Sequence, residues 1–200
     1  MYFKIKLIKL KNCLLVIPLL FLSILLLSQD STRLINQKTA GVLVEYASPY
    51  YYLPEGPRYY VLLTGGTFSF PLFKAKKNFN MSIDIFPHYG FVWVDFEGSN
   101  YEFGVNVRLG ANFSLSPNDV LRLKLASGPH YITVETEKQA NGFIFSDYFL
   151  LVYNRRFFIN KSPFSIEFEF GYRHISNAGL QEPNRSISNI IFGIGINKVF

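Results

Sequence analysis

The chain has 200 residues, enough for one domain, and a formal charge of +6. Lys4, Lys6, Lys9 and Lys11 contribute four of these positive charges, so the rest of the chain is close to neutral and offers no basic patch for nucleic acid. Aromatic residues are abundant, with 21 Phe and 13 Tyr. Such a composition favours strands and bilayer interfaces over a helical domain.

The beginning of the chain has the pattern of a secretory signal peptide. The four lysines precede an almost wholly apolar run from Cys13 to Leu27, and polar residues follow. We therefore expect residues 1–29 to be a signal peptide and residues 30–200 to form one domain. A transmembrane anchor is the alternative, although the run is short for a spanning helix and contains Pro18. Cys13 is the single cysteine, so the predicted mature chain has neither a disulfide nor a thiol nucleophile.

After this leader, apolar and polar residues alternate with period two, which predicts strands rather than helices. Because successive side chains of a strand point to opposite sides, each predicted strand has one apolar and one polar face. The eight predicted strands cover about 39–48, 58–70, 79–95, 101–113, 120–133, 143–158, 164–174 and 187–200.

Alternation alone does not say which face is inside. A soluble calyx places the apolar face inward, whereas an outer-membrane barrel places it outward. The leader and the strand lengths, roughly 10–16 residues, favour the membrane version, because such strands cross a bilayer at a tilt. An even number of strands also closes without an unpaired edge. We therefore predict an all-β fold, an eight-stranded antiparallel transmembrane β-barrel in the outer membrane of a Gram-negative cell.

The polar faces carry charges that we expect to form salt bridges inside a narrow barrel. These residues are Asp84, Glu102, Arg108, Arg122, Lys124, Glu167, Glu169 and Arg173. His88 and His130 lack cysteine or carboxylate neighbours at ligand spacing, so we predict no metal and no other cofactor. Tyr50–Tyr52 and the pair Tyr59–Tyr60 are expected to belong to an aromatic girdle at the membrane interface.

The connections give an orientation. If the N-terminus is periplasmic, the connections after strands 1, 3, 5 and 7 face outside, and most of them are the longer ones. The second of these, about Phe96–Asn100, is an exception because it is short. This orientation places the end of strand 7, with His174, at the outer leaflet.

His174 and Ser176 are two residues apart, so they share a strand face with Phe164, Ile166, Phe168, Phe170 and Tyr172. A hydroxyl with a general base within reach is the first requirement of serine hydrolysis. The spacing therefore predicts a nucleophile and base at the end of an apolar stripe, a position that suits an enzyme attacking lipid.

The run from His174 to Asn184 reads His-x-Ser-Asn-Ala-Gly-Leu-x-x-Pro-Asn and resembles the lipid A 3-O-deacylase (PagL) family, also called acyloxyacyl hydrolase-like. The resemblance implies an outer-membrane barrel whose active site lies on its lipid-facing surface. It also implies Ser176 as nucleophile, His174 as base, and the 3-O-linked acyl ester of lipid A in lipopolysaccharide as substrate. The acyl chain would lie on Phe168, Phe170 and Tyr172.

An oxyanion intermediate needs hydrogen-bond donors. The candidates are Asn177, Asn184 and the backbone N–H of Gly179, with Ser188 as a further orienting residue.

The chain departs from the family at one position. The family's third triad member is a glutamate fourteen residues after the histidine, and here that position is Ser188, which cannot supply a negative charge. Glu182 is a candidate substitute acid on the preceding loop. Three readings stay open: an active deacylase, a non-catalytic barrel of the same family, and a soluble lipid-binding calyx. A homodimer stays an open alternative to a monomer.

Overall fold

The computed structural model describes residues 34–50, 58–73 and 78–200, which form a closed antiparallel β-barrel. The predicted signal peptide, residues 1–29, lies outside the described residues. Each strand pairs with its neighbours along the chain, and the first pairs with the last. The strands are β1 (Thr39–Pro49), β2 (Tyr59–Pro71), β3 (Phe79–Val94), β4 (Glu97–Ser114), β5 (Asp119–Ile132), β6 (Gly142–Ile159), β7 (Ser162–Ser176) and β8 (Ile187–Val199). Within the described ranges, no helix is long and apolar enough to span a membrane.

The apolar face of the barrel is on the outside. In β4, Val107 is 48% exposed whereas its neighbour Arg108 is 1% exposed, and the same alternation runs through the other strands. The predicted eight-stranded barrel is therefore confirmed. Its apolar exterior and polar interior are those of a membrane barrel and the inverse of a soluble calyx.

Ion pairs fill the interior, as the polar faces predicted. Arg108 pairs with Glu45 at 2.6 Å and with Glu169 at 2.9 Å. Lys124 contacts Asp84 and Glu169, each at 3.0 Å. All of these side chains are almost completely buried. Because an unpaired buried charge is strongly destabilising, the barrel tolerates these charges only as pairs.

The two ends of the barrel differ in their connections. We call the end where β1 ends and β2 begins, with residues 95–96, 133–141 and 177–186, the upper end, and the opposite end the lower end. At the upper end, Asp95 and Phe96 have φ of 51° and 64°, as in the two-residue turns that favour tight hairpins. The loop predicted at Phe96–Asn100 is therefore wrong: β4 already begins at Glu97, which pairs with Val94.

A second tight turn joins β6 to β7 at the lower end. Asn160 and Lys161 have φ of 49° and 66°, and Ile159 pairs with Ser162. This two-residue connection fixes the register of the whole β6–β7 ladder, because the length of a hairpin loop determines which residues face each other.

The predicted aromatic girdle is only partly present. Tyr51 and Tyr52 lie outside the described residues, and Tyr50 is 39% exposed. Tyr59 does not belong to a girdle, because it is fully buried and its hydroxyl donates to Glu102 at 2.9 Å. Its ring therefore packs inside the barrel, where its hydroxyl group forms a hydrogen bond to a carboxylate.

Candidate active site

Both predicted catalytic side chains lie on the outer wall at the upper end of β7. The strand continues to Ser176, two residues beyond the predicted end, so His174 and Ser176 are both held by the ladder. Each side chain is partly exposed, whereas Arg173, just before His174, and Ile175, between the two, are buried. No hydrogen bond joins His174 to Ser176 in the described structure, although residues two apart on a strand share a face.

Two neighbouring strands flank His174. On β8 its partner is Ser188, whose Oγ lies 3.5 Å from His174 Nδ1, at the outer limit of hydrogen bonding. The Tyr172 hydroxyl is 2.5 Å from the same Ser188 Oγ. Ser188 therefore connects a tyrosine to the histidine but contributes no charge.

On the other side, the partner of His174 is Asp147 of β6. The side chain of Asp147 is exposed on the outer wall, between Phe145 and Phe149 of the same face. Asp147 is not among the site residues predicted from the sequence. The signal was present, because an aspartate interrupts the apolar face of a strand that otherwise alternates regularly.

The loop after β7 is held by its own hydrogen bonds. The buried Asn177 side chain accepts from the Gly179 N–H at 3.0 Å and donates to the Gln181 carbonyl at 2.5 Å. Gly179 has φ of +77°, a conformation that glycine adopts without strain. Two of the predicted oxyanion donors, Asn177 and Gly179, are thus engaged in shaping the loop.

Asn184 occupies a different position in this loop. Its Oδ1 accepts from the Asn177 N–H at 3.0 Å, and its amide NH2 donates to no described residue. Asn184 also bridges to Gln139, which ties the loop to the connection between β5 and β6. Of the three predicted donors, Asn184 is the one whose amide hydrogens are still available.

The Glu182 carboxylate, the predicted substitute acid, accepts from the Asn184 N–H at 3.1 Å. The structure places it in the exposed part of the loop and shows no hydrogen bond between Glu182 and His174.

A buried cluster lies behind the site, on the lumen side. Arg173 donates to Glu102 and, at 2.7 Å, to the Ser146 hydroxyl. His130 Nδ1 is 2.5 Å from the same Glu102 carboxylate, and His88 lies beside His130. The ligand atoms of His88, Glu102 and His130 lie within 4.8 Å of one another. Because Arg173 already neutralises Glu102, the contacts describe an ion-paired network that anchors β7.

The wall below the two side chains is apolar. Phe168 and Phe170 are 46% and 49% exposed, and the Phe170 ring lies 5.2 Å from that of Phe192 on β8. This surface continues the β7 stripe downward from His174, so a hydrocarbon chain beside the site would contact aromatic side chains along its length.

Comparison with known proteins gives the family. The family model described as "Lipid A 3-O-deacylase (PagL)" matches residues 32–197. Among solved structures, the crystal structure of the outer membrane enzyme PagL matches with a TM-score of 0.52 and 14% identity, covering 79% of this chain and 97% of that one.

Another solved structure, that of Ail, the attachment invasion locus protein of Yersinia pestis, has a TM-score of 0.41 and 12% identity, covering 82% of this chain and 97% of that one. The comparison with curated proteins returned no match. The family match extends over nearly the whole barrel and includes the run from His174 to Asn184. The chain belongs to the lipid A 3-O-deacylase (PagL) family.

Proposed function

We propose that this protein is an outer-membrane serine esterase that removes the 3-O-linked acyl chain from lipid A. The observation that carries the proposal is the placement of His174 and Ser176 side by side on the outer wall, at the end of an apolar stripe. An enzyme for a lipid ester needs its nucleophile on the face that contacts lipid. Export by the signal peptide 1–29, with the upper end at the outer leaflet, brings that face to lipopolysaccharide.

In the proposed reaction, Ser176 Oγ attacks the ester carbonyl while His174 accepts its proton. The intermediate collapses when the sugar 3-oxygen leaves and takes the proton from His174, which leaves an acyl-Ser176. Water then attacks the acyl group, with His174 again accepting and returning a proton, and a free fatty acid departs. Asn184 supports the oxyanion in this scheme, because its amide NH2 is unengaged in the described structure.

Mass spectrometry of lipid A from cells that express the protein tests this proposal. The wild type is expected to produce lipid A lighter by one acyl chain. Ser176→Ala and His174→Ala are each expected to lower the rate by about 10³-fold or more, because either loss disables the nucleophile–base pair. Ser99→Ala, an exposed serine on β4, is the matched control and should leave the product unchanged.

The second candidate is a non-catalytic barrel that keeps the family scaffold. Ser188 favours it, because the β8 partner of His174 carries no carboxylate. An unmodified lipid A with the folded wild type would support this candidate and contradict the enzyme. An active wild type with an equally active Ser176→Ala would show instead that the site is wrongly assigned.

A further inference from the structure

We infer that Asp147 is the positioning residue that supplies the negative charge beside His174. Asp147 is on β6, on one side of β7, whereas the family pattern has its acid at the position of Ser188 on β8, on the other side. The inference rests on the proposed function, since it concerns the same nucleophile and base. Asp147 and His174 are direct partners in the β6–β7 ladder, and both side chains are on the outer wall. Opposite side chains of an antiparallel pair have Cβ atoms about 4.5–5.5 Å apart, a distance that a carboxylate and an imidazole span together.

The ladder places Asp147 in a row of polar side chains across the outer wall. Ser127 of β5 pairs with Asp147, Asp147 pairs with His174, and His174 pairs with Ser188. The next outward row below is apolar or aromatic: Leu125, Phe149, Tyr172 and Ile190. A polar row through four strands on a largely apolar wall indicates a site, and His174 is near its middle.

A charged Asp147 on the lipid-facing wall is energetically unfavourable unless it has a partner of opposite charge. Charged side chains on the lipid face of a barrel are unfavourable to a degree that depends on depth. The outward charges at the lower end are accommodated differently: Asp119 pairs with Arg155 at 3.3 Å, and the Lys198 ammonium lies 4.8 Å from the Phe164 ring. Asp147 forms no ion pair among the described residues, so an imidazolium on His174 would give its charge a counterpart.

The other groups around His174 do not supply that charge. Ser188 on β8 is neutral, and Tyr172 on β7 itself is hydrogen-bonded to Ser188. Arg173 and its carboxylate partner Glu102 are buried on the lumen side of the wall. Glu182 and Arg185 belong to the loop, where the Glu182 carboxylate is bonded to a backbone N–H. Asp147 is thus the acidic residue that shares the outer wall with His174 in direct register.

The chemical role follows from the proton transfer. When Ser176 attacks, His174 becomes an imidazolium, and a carboxylate across the ladder lowers the energy of that charged state. Loss of the triad aspartate of a serine protease costs about 10⁴-fold in rate, where the acid is hydrogen-bonded to the histidine. Asp147 shows no such hydrogen bond to His174, so we expect a smaller contribution, about 10- to 100-fold in kcat with little change in KM.

The experiment compares four forms of the full-length protein: wild type, Asp147→Asn, Ser188→Glu, and the double variant Asp147→Asn/Ser188→Glu. Two readouts are measured. One is lipid A deacylation in detergent micelles, separated into kcat and KM. The other is the labelling rate of Ser176 by a fluorophosphonate, in which the Ser176 Oγ–phosphorus bond forms, fluoride leaves, and His174 accepts the serine proton. Asp119→Asn, which removes an outward aspartate at the lower end, is the matched control.

Asp147→Asn is expected to slow both reactions about 10- to 100-fold, and the double variant is expected to recover most of the loss, because Ser188→Glu restores a carboxylate from the other side of His174. Ser188→Glu alone should give only a small gain over wild type. A purely structural Asp147 would not be rescued from β8, so a slow double variant overturns the inference, as does an Asp147→Asn that labels at the wild-type rate.

The two readouts separate this inference from the proposed function. A wild type that labels at Ser176 but leaves lipid A intact would refute the lipid A assignment, while a slowed Asp147→Asn would still support the role of Asp147. A wild type that does not label at all overturns both, because there is then no nucleophile for Asp147 to assist.

Discussion

His174 has unlike neighbours on its two sides, and their chemistry differs in kind. Ser188 offers a hydroxyl at 3.5 Å from Nδ1, and Asp147 offers a carboxylate in register on the opposite strand. A hydroxyl can hold the ring in one orientation, whereas only a carboxylate can stabilise the imidazolium by charge. In the proposed mechanism, orientation and charge stabilisation of His174 are divided between these two side chains.

The orienting role of Ser188 is testable by Ser188→Ala. Because a neutral hydrogen bond is worth about 1 kcal/mol, we expect a loss of roughly fivefold in kcat, far smaller than the loss in Ser176→Ala. The measurement is lipid A deacylation by purified protein, with Ser99→Ala as control. A loss of 10³-fold would contradict this reading and would make Ser188 indispensable to the proton transfer.

The residues of the run from His174 to Asn184 could be chosen from the sequence, because their spacing and motif are local. Asp147 interrupts the apolar face of β6, but its relation to His174 could not be predicted, because it depends on register. That register follows from the two-residue turn Asn160–Lys161, whereas the predicted strands 143–158 and 164–174 left a longer connection between them. A slip of one residue would have placed the inward-facing Tyr148 opposite His174.

At the scale of the element, β7 is anchored from inside at the position next to the candidate base. Arg173 is fully buried and bonded to Glu102 on β4 and Ser146 on β6. Its immediate neighbour His174 faces the other way. The upper end of β7 is therefore held to the far side of the lumen by a charge pair. The same pair fixes the backbone that carries the outward side chains.

Glu102→Gln tests this anchor. The substitution leaves the buried Arg173 without its carboxylate, and breaking one partner of a buried pair costs about 3–5 kcal/mol. We expect a corresponding fall in the free energy of unfolding, measured by urea titration of the full-length protein in lipid vesicles. Glu97→Gln, exposed at the start of the same strand, is the control and should change stability by less than about 0.5 kcal/mol. Equal stabilities of the two variants would contradict the anchoring role.

The sequence predicted the ends of the elements less well than their faces. The faces of β4, β5, β7 and β8 follow from alternation, which backbone geometry imposes. The ends depend on turn type: Asp95–Phe96 is a two-residue hairpin that extends β4 by four residues over the predicted start. β7 likewise ends at Ser176, beyond the predicted end at residue 174, because Phe145 of β6 pairs with Ser176 and keeps it in the ladder.

At the scale of the whole molecule, the barrel is turned inside out relative to a soluble protein. Ion pairs occupy the interior, and leucine, valine and phenylalanine side chains cover the outside. Composition and alternation predicted the barrel, and the charged faces predicted the filled lumen. The individual partners inside could not be predicted, because contacts such as Arg108 with Glu45 cross the barrel between strands far apart in the sequence.

A charge placed on the outer wall distinguishes a membrane exterior from a water-exposed one. Leu125 in the middle of β5 is 60% exposed, and Leu115 in a lower connection is 62% exposed. In water the substitutions Leu125→Lys and Leu115→Lys would be equally harmless. In a bilayer, we expect Leu125→Lys to cost about 2–4 kcal/mol and Leu115→Lys about 0–1 kcal/mol. Urea unfolding in vesicles measures both, and equal values would contradict a membrane-embedded wall.

The outward placement of His174 and Ser176 has a consequence for how such a molecule divides its work. In the proposed reaction, a substrate that already resides in the leaflet would meet these side chains by moving sideways, without entering the lumen. The interior can consequently be occupied by ion pairs, such as Arg108 with Glu45 and Lys124 with Glu169, instead of a substrate. The proposed catalytic residues and the ion pairs that hold the barrel together thus lie on opposite faces of the same strands.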